Sequence, residues 1–132
     1  MSKVERFEDL IAWQKARELT RAVCQVTRQG PFVKDFGLAG QLQRAAVSIM
    51  SDIADGFDRG GRAEFHQFLS TATGSCAETR SLLFVALDAD YLDQPTFDRL
   101  LARAEEVARI VSGLRVAVER QRDEQRAPRR EP

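Results

Sequence analysis

Apolar residues recur along this chain at alternating steps of three and four, the spacing that lines one face of an α-helix. Four segments carry the pattern, at about residues 10–28, 37–57, 62–88 and 96–122. Glycine and proline lie in the connections between them, which end one helix and permit a turn. No segment alternates with the period of two that indicates a strand. The sequence predicts an all-α fold, an up-down-up-down antiparallel four-helix bundle.

The second helix carries two stripes side by side. Its apolar stripe consists of Leu38, Leu42, Ala45, Ile49, Ile53 and Gly56. A polar stripe runs beside it, and the third helix has two polar residues that flank its own apolar stripe in the same way. Because a buried charge must be paired, we expect these polar residues to form a structural network between the two helices. The predicted network comprises Gln41, Arg44, Ser48, Asp52, Asp55, Ser75 and Glu78.

The remaining faces of the second and third helices lack charge, whereas the first and fourth helices have charged outer faces. A helix without a charged outer face is usually buried on more than one side. We therefore expect a subunit interface on these two helices, formed by Val47, Met50, Ser51, Ala54, Ser70, Gly74, Ala77 and Ser81. Gly74 costs roughly 1 kcal/mol in mid-helix relative to alanine, which favours close approach of another backbone there.

The segments outside the helices give two further expectations. Phe32, Val33 and Phe36 are apolar, and we expect them to fold back over the end of the core. Residues 1–122 form a single domain in this interpretation, and the polar, proline-containing residues 123–132 are predicted to be disordered. Trp13 lies beside the first apolar stripe, as a packing anchor or, alternatively, as an exposed stacking platform.

Charge and composition limit which partners we expect for the protein and in which cellular compartment we expect it. Twenty basic residues balance twenty acidic ones, so no overall field attracts nucleic acid or an anionic membrane. No run approaches the length of a membrane span, and the N-terminal residues lack the apolar segment of a signal peptide. We expect a cytoplasmic protein without membrane contact. Cys24 and Cys76 lie in predicted helices without metal-binding spacing, which favours buried thiols over a disulfide.

Candidate chemistry is sparse. His66 is the single histidine, which excludes metal sites with several imidazole ligands. The alternative to a structural network is a ligand- or metal-binding cluster of Asp52, Asp55 and Glu78 with His66. Arg59 and Arg62 beside the Gly60-Gly61 turn are candidate phosphate contacts. We predict no catalytic residues, no cofactor and no enzymatic activity.

Two long segments carry a family resemblance: QLQRAAVSIMSDIADGFDRGGRAEF at 41–65 and FLSTATGSCAETRSLL at 68–83. Together with FEDLIAWQKARELT and DFGLAGQLQRA, they resemble the bacterial four-helix bundle proteins known from reading frames in intervening sequences of 23S ribosomal RNA genes. The resemblance covers residues 7–118. The family pattern in the second helix is similar to QLRRAAVSIPSNIAEG. In this chain Met50 replaces the proline, Asp52 the asparagine and Asp55 the glutamate.

The resemblance implies a homo-oligomer, commonly a homopentamer, and does not imply an enzyme. One related member, the accessory variability protein of diversity-generating retroelements, resembles a scaffold that binds nucleic acid and a reverse transcriptase. RNA or an RNA-associated protein is therefore the partner that the resemblance suggests, besides further copies of the chain. We expect a non-enzymatic oligomeric scaffold or binding module, with the ligand- or metal-binding bundle as the alternative.

Overall fold

Four α-helices carry the apolar stripes in the computed structural model of the protein, which describes residues 3–126. They are α1 (Ile11–Thr27), α2 (Phe36–Asp58), α3 (Arg62–Asp88) and α4 (Gln94–Arg126). Two short 3-10 helices precede α1 and α2, at Phe7–Asp9 and Gly30–Lys34. No strand occurs between residues 3 and 126. The predicted all-α fold is confirmed.

Each helix packs against two neighbours, because α1 and α3 both contact α2 and α4. Fully buried side chains from all four helices meet along the centre, among them Leu19, Leu42, Leu69 and Val107. Burying one such leucine or valine contributes roughly 1.5–3 kcal/mol, so the four apolar stripes supply most of the stabilisation. The arrangement is the four-helix bundle that the periodicity predicts. Among the described helices, none is both long enough and apolar enough to cross a membrane.

One polar contact ties the start of α2 to the segment that follows α3. The Asp35 Oδ1 accepts a hydrogen bond from the Leu38 backbone N–H at 3.1 Å, which caps α2. Its Oδ2 accepts a hydrogen bond from the Tyr91 hydroxyl at 2.9 Å. The Leu38 N–H, and then the Tyr91 hydroxyl, lower the pKa of the Asp35 carboxyl because both stabilise its charged form. The two contacts bring the N-terminus of α2 and the C-terminus of α3 to the same end of the bundle.

Threonine side chains of α1 form hydrogen bonds that join α1 to α2. The Thr20 hydroxyl lies 2.8 Å from the Ala16 carbonyl oxygen in its own helix and 3.2 Å from the Ala46 carbonyl oxygen in α2. The Gln43 amide donates to the Thr27 hydroxyl oxygen at 2.7 Å. Part of the uncharged face of α2 is therefore covered by α1 within the same chain.

Only one of the three apolar residues between α1 and α2 folds over the core as expected. Phe32 is fully buried and stacks on Tyr91, with ring centroids 4.9 Å apart. Val33 is exposed, and Phe36 is 82% exposed. The expectation for these two residues is wrong, because the 3-10 turn directs a single side chain inward and Phe36 occupies the first position of α2, outside its apolar stripe.

The last helix is longer than predicted. It continues to Arg126, because glutamine, arginine and glutamate are good helix formers and no glycine or proline interrupts residues 119–126. The first part of the segment predicted to be disordered is thus helical. Residues 127–132 of that segment lie outside the described residues.

At Gly56, α2 packs tightly against α3. A Cβ atom at this position would lie 2.6 Å from the Phe68 Cβ and 3.1 Å from the Phe65 Cδ1. By contrast, a Cβ atom at Gly113 in α4 would have no neighbour within 4 Å.

We predict that Gly56→Ala lowers the free energy of unfolding by about 1–3 kcal/mol, because the added methyl group forces α2 and α3 apart. The matched control Gly113→Ala should raise it by up to about 1 kcal/mol, since alanine favours the helix and meets no neighbour. Urea denaturation followed by circular dichroism measures both changes. A Gly56→Ala variant at least as stable as the wild type would contradict this packing.

Candidate assembly surface on α2 and α3

The seven residues of the predicted polar network lie along the outer sides of α2 and α3, but their side chains do not form a network within one chain. Ser48, Asp52 and Ser75 are half-buried, and the other four are exposed. Across residues 3–126, no ion pair or side-chain hydrogen bond joins two of the seven. The one ion pair that includes a member joins Asp55 Oδ1 to Arg59 Nε at 3.3 Å.

Arg44 and Glu78, the exposed charges expected to pair, remain separate for a local reason. Arg44 lies back along its own helix, and a Cβ atom at Gly40 would be 3.0 Å from the Arg44 Nη1. The absence of a side chain at Gly40 therefore leaves room for the guanidinium group. Glu78 is exposed on α3. Both charges are accessible to another molecule.

Asp52 is the least satisfied group on this surface. Its Oδ2 is inaccessible to solvent and has no hydrogen-bond partner in the described chain. Burial raises the pKa of the Asp52 carboxyl, and the nearby Asp55 charge raises it further. A carboxylate held in this environment destabilises the isolated chain unless a positive charge or a donor reaches it from outside.

The eight residues of the predicted subunit interface divide into two groups. Val47, Ser51, Gly74, Ala77 and Ser81 are exposed. Met50, Ala54 and Ser70 are half-buried, and Met50 packs against the core of its own chain. A Cβ atom at Gly74 would have no neighbour within 4 Å, so packing within the chain gives no reason for a glycine there.

Sequence periodicity missed three exposed apolar side chains near this surface. They are Phe36 at the start of α2 and Phe84 and Val85 near the end of α3. Phe84 also makes an edge contact with Phe97 of α4, with ring centroids 4.9 Å apart. The positions of these three residues lie off the apolar stripes of α2 and α3. Such a position predicts that a large apolar side chain is exposed.

The two candidate phosphate-binding arginines are engaged in separate contacts. Arg59 pairs with Asp55, and its guanidinium carbon lies 5.1 Å from the Phe68 ring centroid. The Arg62 Nε donates to the Gln121 Oε1 at 3.2 Å. They line different surface hollows, which does not favour a shared phosphate site.

The residues of the alternative metal cluster are likewise dispersed. The His66 Nε2 lies 3.8 Å from the Glu119 Oε2 of α4, whereas Asp52 and Asp55 belong to α2. Across residues 3–126, no three His, Cys, Asp or Glu side chains are grouped so that they could hold a metal ion. These donor positions do not favour the ligand- or metal-binding alternative.

The buried cysteine Cys76 does not have the surroundings of a reactive thiol. Both cysteines of the chain are free, with Cys76 buried and Cys24 half-buried. Burial raises the pKa of the Cys76 thiol to about 11, against a smaller lowering by Arg80. A thiol with so high a pKa stays protonated at neutral pH and is a poor nucleophile.

The fold and this surface define an all-α four-helix bundle whose outer side at α2 and α3 combines uncharged residues with a stripe of polar and charged ones. The model of the family described as 23S rRNA-intervening sequence protein matches residues 8–113, and the chain belongs to this family. The resemblance seen in the sequence motifs is confirmed.

A solved structure with the same fold is the crystal structure of a protein of unknown function from the S23 ribosomal protein family of Bacteroides thetaiotaomicron. It superposes with a TM-score of 0.73 at 20% sequence identity, covering 80% of this chain and 95% of that chain. A search of curated proteins found no match.

We predict that Asp52→Asn raises the free energy of unfolding of the monomeric chain by about 1 kcal/mol at neutral pH. The carboxyl pKa is higher in the folded chain than in the unfolded chain. The charged carboxylate therefore destabilises the fold at pH values above the folded-state pKa. This penalty decreases as the pH falls through that pKa and is gone below the unfolded-state pKa. The increase in the free energy of unfolding caused by Asp52→Asn should shrink over the same pH range.

Urea denaturation over a pH series measures this difference, in samples diluted below micromolar concentration until light scattering shows single chains. Asp55→Asn is the matched control, because Asp55 is exposed and paired with Arg59. Its effect should stay within about 0.5 kcal/mol. A loss of stability in Asp52→Asn at neutral pH would mean that the carboxylate has a partner within the chain.

Proposed function

We propose that this protein is a non-enzymatic scaffold that assembles with further copies of itself through the outer sides of α2 and α3. The observation that carries the proposal is the exposed, uncharged stretch of these helices, where Val47 is 45% exposed and Gly74 has no packing neighbour. Uncharged, partly apolar surface of this kind is typical of contacts between proteins.

The polar groups of the same surface supply specificity in this proposal. Asp52 needs a hydrogen-bond donor, and Arg44 on α2 and Glu78 on α3 are exposed. An arginine of a second copy that reached Asp52 would satisfy the carboxylate and lower its pKa. The predicted polar network is then completed between chains instead of within one.

Such a contact needs only a small part of the surface of the chain. A stable interface buries roughly 800 Å² on each partner, which is about a tenth of the 8416 Å² that the described chain exposes. The homopentamer that the family resemblance implies is an odd-numbered ring. It therefore needs a head-to-tail contact in which the α2–α3 surface meets a different surface of the next copy.

The partner of the assembly is proposed from the family to which the chain belongs. Its description refers to an intervening sequence of 23S rRNA, which supports RNA or an RNA-associated protein as the partner. The absence of catalytic activity is part of the proposal as well. It is supported by the buried Cys76 thiol and by the position of His66 beside Glu119 of α4.

We predict that light scattering of the full chain gives a mass several times 14.9 kDa, near fivefold for the ring. The double variant Val47→Arg, Gly74→Arg should shift the mass to that of a single chain, because two charges would be buried without partners in the contact.

The single variant Gly113→Arg is the control, since it places the same side chain at an open glycine of α4. It should keep the wild-type mass, and circular dichroism should show all variants to be helical. A wild-type mass of one chain at micromolar concentration would overturn the proposal. A double variant that assembles normally would exclude this surface as the contact.

A further inference from the structure

The seam between α1 and α4 lies on the other side of the bundle and is the least closely packed of the four helix pairs. A cavity of about 190 Å³ opens along it. Its base is partly apolar and is formed by Ala22, Val26 and Leu100. Its other lining residues are polar or charged: Glu18, Arg21, Gln25, Thr96, Arg99 and Arg103.

Three arginines from two helices converge on this cavity. Arg99 and Arg103 are four residues apart and therefore lie on one face of α4, one turn apart. Arg21 faces them from α1. In the described part of the chain, none of the three guanidinium groups is within ion-pair distance of a carboxylate.

The acidic residues near the cavity have other partners. Glu18 is the single carboxylate in the lining, and its Oε2 lies 3.6 Å from the Lys15 Nζ. Asp98 accepts a hydrogen bond from Gln94. Asp93 caps α4 through the Thr96 backbone N–H at 2.9 Å. The Thr96 hydroxyl, and then this N–H, lower the pKa of the Asp93 carboxyl more than the nearby Arg99 charge does. The cavity thus has an excess of positive charge in a chain whose net charge is zero.

We propose that this cavity binds a phosphate group through Arg21, Arg99 and Arg103. Guanidinium groups match phosphate oxygens in bidentate geometry and stay charged at any physiological pH. The volume is below the roughly 300–1,000 Å³ of pockets that enclose a whole small molecule. It suits one phosphate group, either free or as part of a longer ligand that continues outside.

A second hollow, of about 420 Å³, continues from the first, because Arg21 lines both. It contains half-buried Trp13, and the Arg17 guanidinium carbon lies 5.7 Å from the Trp13 ring centroid. Trp13 and Arg21 are about 12 Å apart along α1 at 1.5 Å per residue. Glu8 and Glu18 balance Arg17 and Arg21 in this second hollow, so the excess of positive charge belongs to the first cavity. A positively charged cavity next to an aromatic ring is the combination that single-stranded nucleic acids bind.

The site does not depend on assembly through α2 and α3. Its test consists of two titrations. The titration with RNA rests on the proposed function, and the titration with inorganic phosphate does not. Trp13 is the single tryptophan of the chain, so its fluorescence reports on the hollow next to the arginines.

The experiment titrates the full chain with inorganic phosphate and, separately, with a single-stranded oligoribonucleotide, followed by calorimetry and Trp13 fluorescence. We expect binding in at least one titration, weakened by added salt. Binding of inorganic phosphate identifies a site for the free anion. Binding of the oligonucleotide without binding of inorganic phosphate identifies a phosphodiester site.

The double variant Arg99→Gln, Arg103→Gln should weaken the binding at least about tenfold, because charge-assisted hydrogen bonds are lost. The matched control Arg109→Gln, Arg120→Gln removes the same charge from exposed positions of α4 outside the cavity. It should change the affinity less than about twofold.

Equal weakening by both double variants, or no binding in either titration, would overturn the inference. Light scattering of the same samples separates it from the proposed assembly. The Arg99→Gln, Arg103→Gln variant should keep the wild-type mass while it loses the ligand, whereas Val47→Arg, Gly74→Arg should lose the assembly and keep the ligand.

Discussion

The contact between Gly56 of α2 and Phe68 of α3 determines how the two central helices meet. Because position 56 has no side chain, the Phe68 Cβ approaches to 2.6 Å from where a Cβ would stand. The rings of Phe57 and Phe65 pack edge-on at 5.8 Å beside this point. The close approach aligns the apolar stripes of α2 and α3 and leaves the neighbouring polar stripe at the edge of their contact. Asp52 lies one turn before Gly56 and is half-buried.

The two sides of the bundle therefore differ in physical character. On the α2–α3 side, uncharged residues and a carboxylate without an internal partner make the surface of a single chain incomplete. On the α1–α4 side, Arg21, Arg99 and Arg103 surround a cavity in a loosely packed seam. The first side favours contact with another protein chain, and the second favours a small anionic group. One neutral chain can carry both because Arg21, Arg99 and Arg103 have no carboxylate within ion-pair distance in the described part of the chain.

Much of the fold was predictable from single-residue patterns. The stripe from Leu42 through Ile49 to Ile53 is fully buried, because steps of three and four place such residues on one face whatever the partner helix is. Pairing of polar groups was not predictable in the same way. Arg44 lies over Gly40 along its own helix, and Asp55 pairs with Arg59, since a flexible side chain takes the nearest partner in space. Phe36 is exposed for a related reason, because an apolar side chain at a helix end is buried only where another element covers it.

The sequence by itself determined the number of helices, their approximate ends, the residues of the core and, through the motifs of α2 and α3, the family. These properties depend on local spacing and on which residue types tolerate water. Only the tertiary structure decided which polar groups lack partners and which arginines converge, because these depend on the distance between helices far apart in the chain. The cavity of Arg21 with Arg99 and Arg103 joins residues from the first and last helices. Neither helix carries that information alone, since the site exists only where the two are packed side by side.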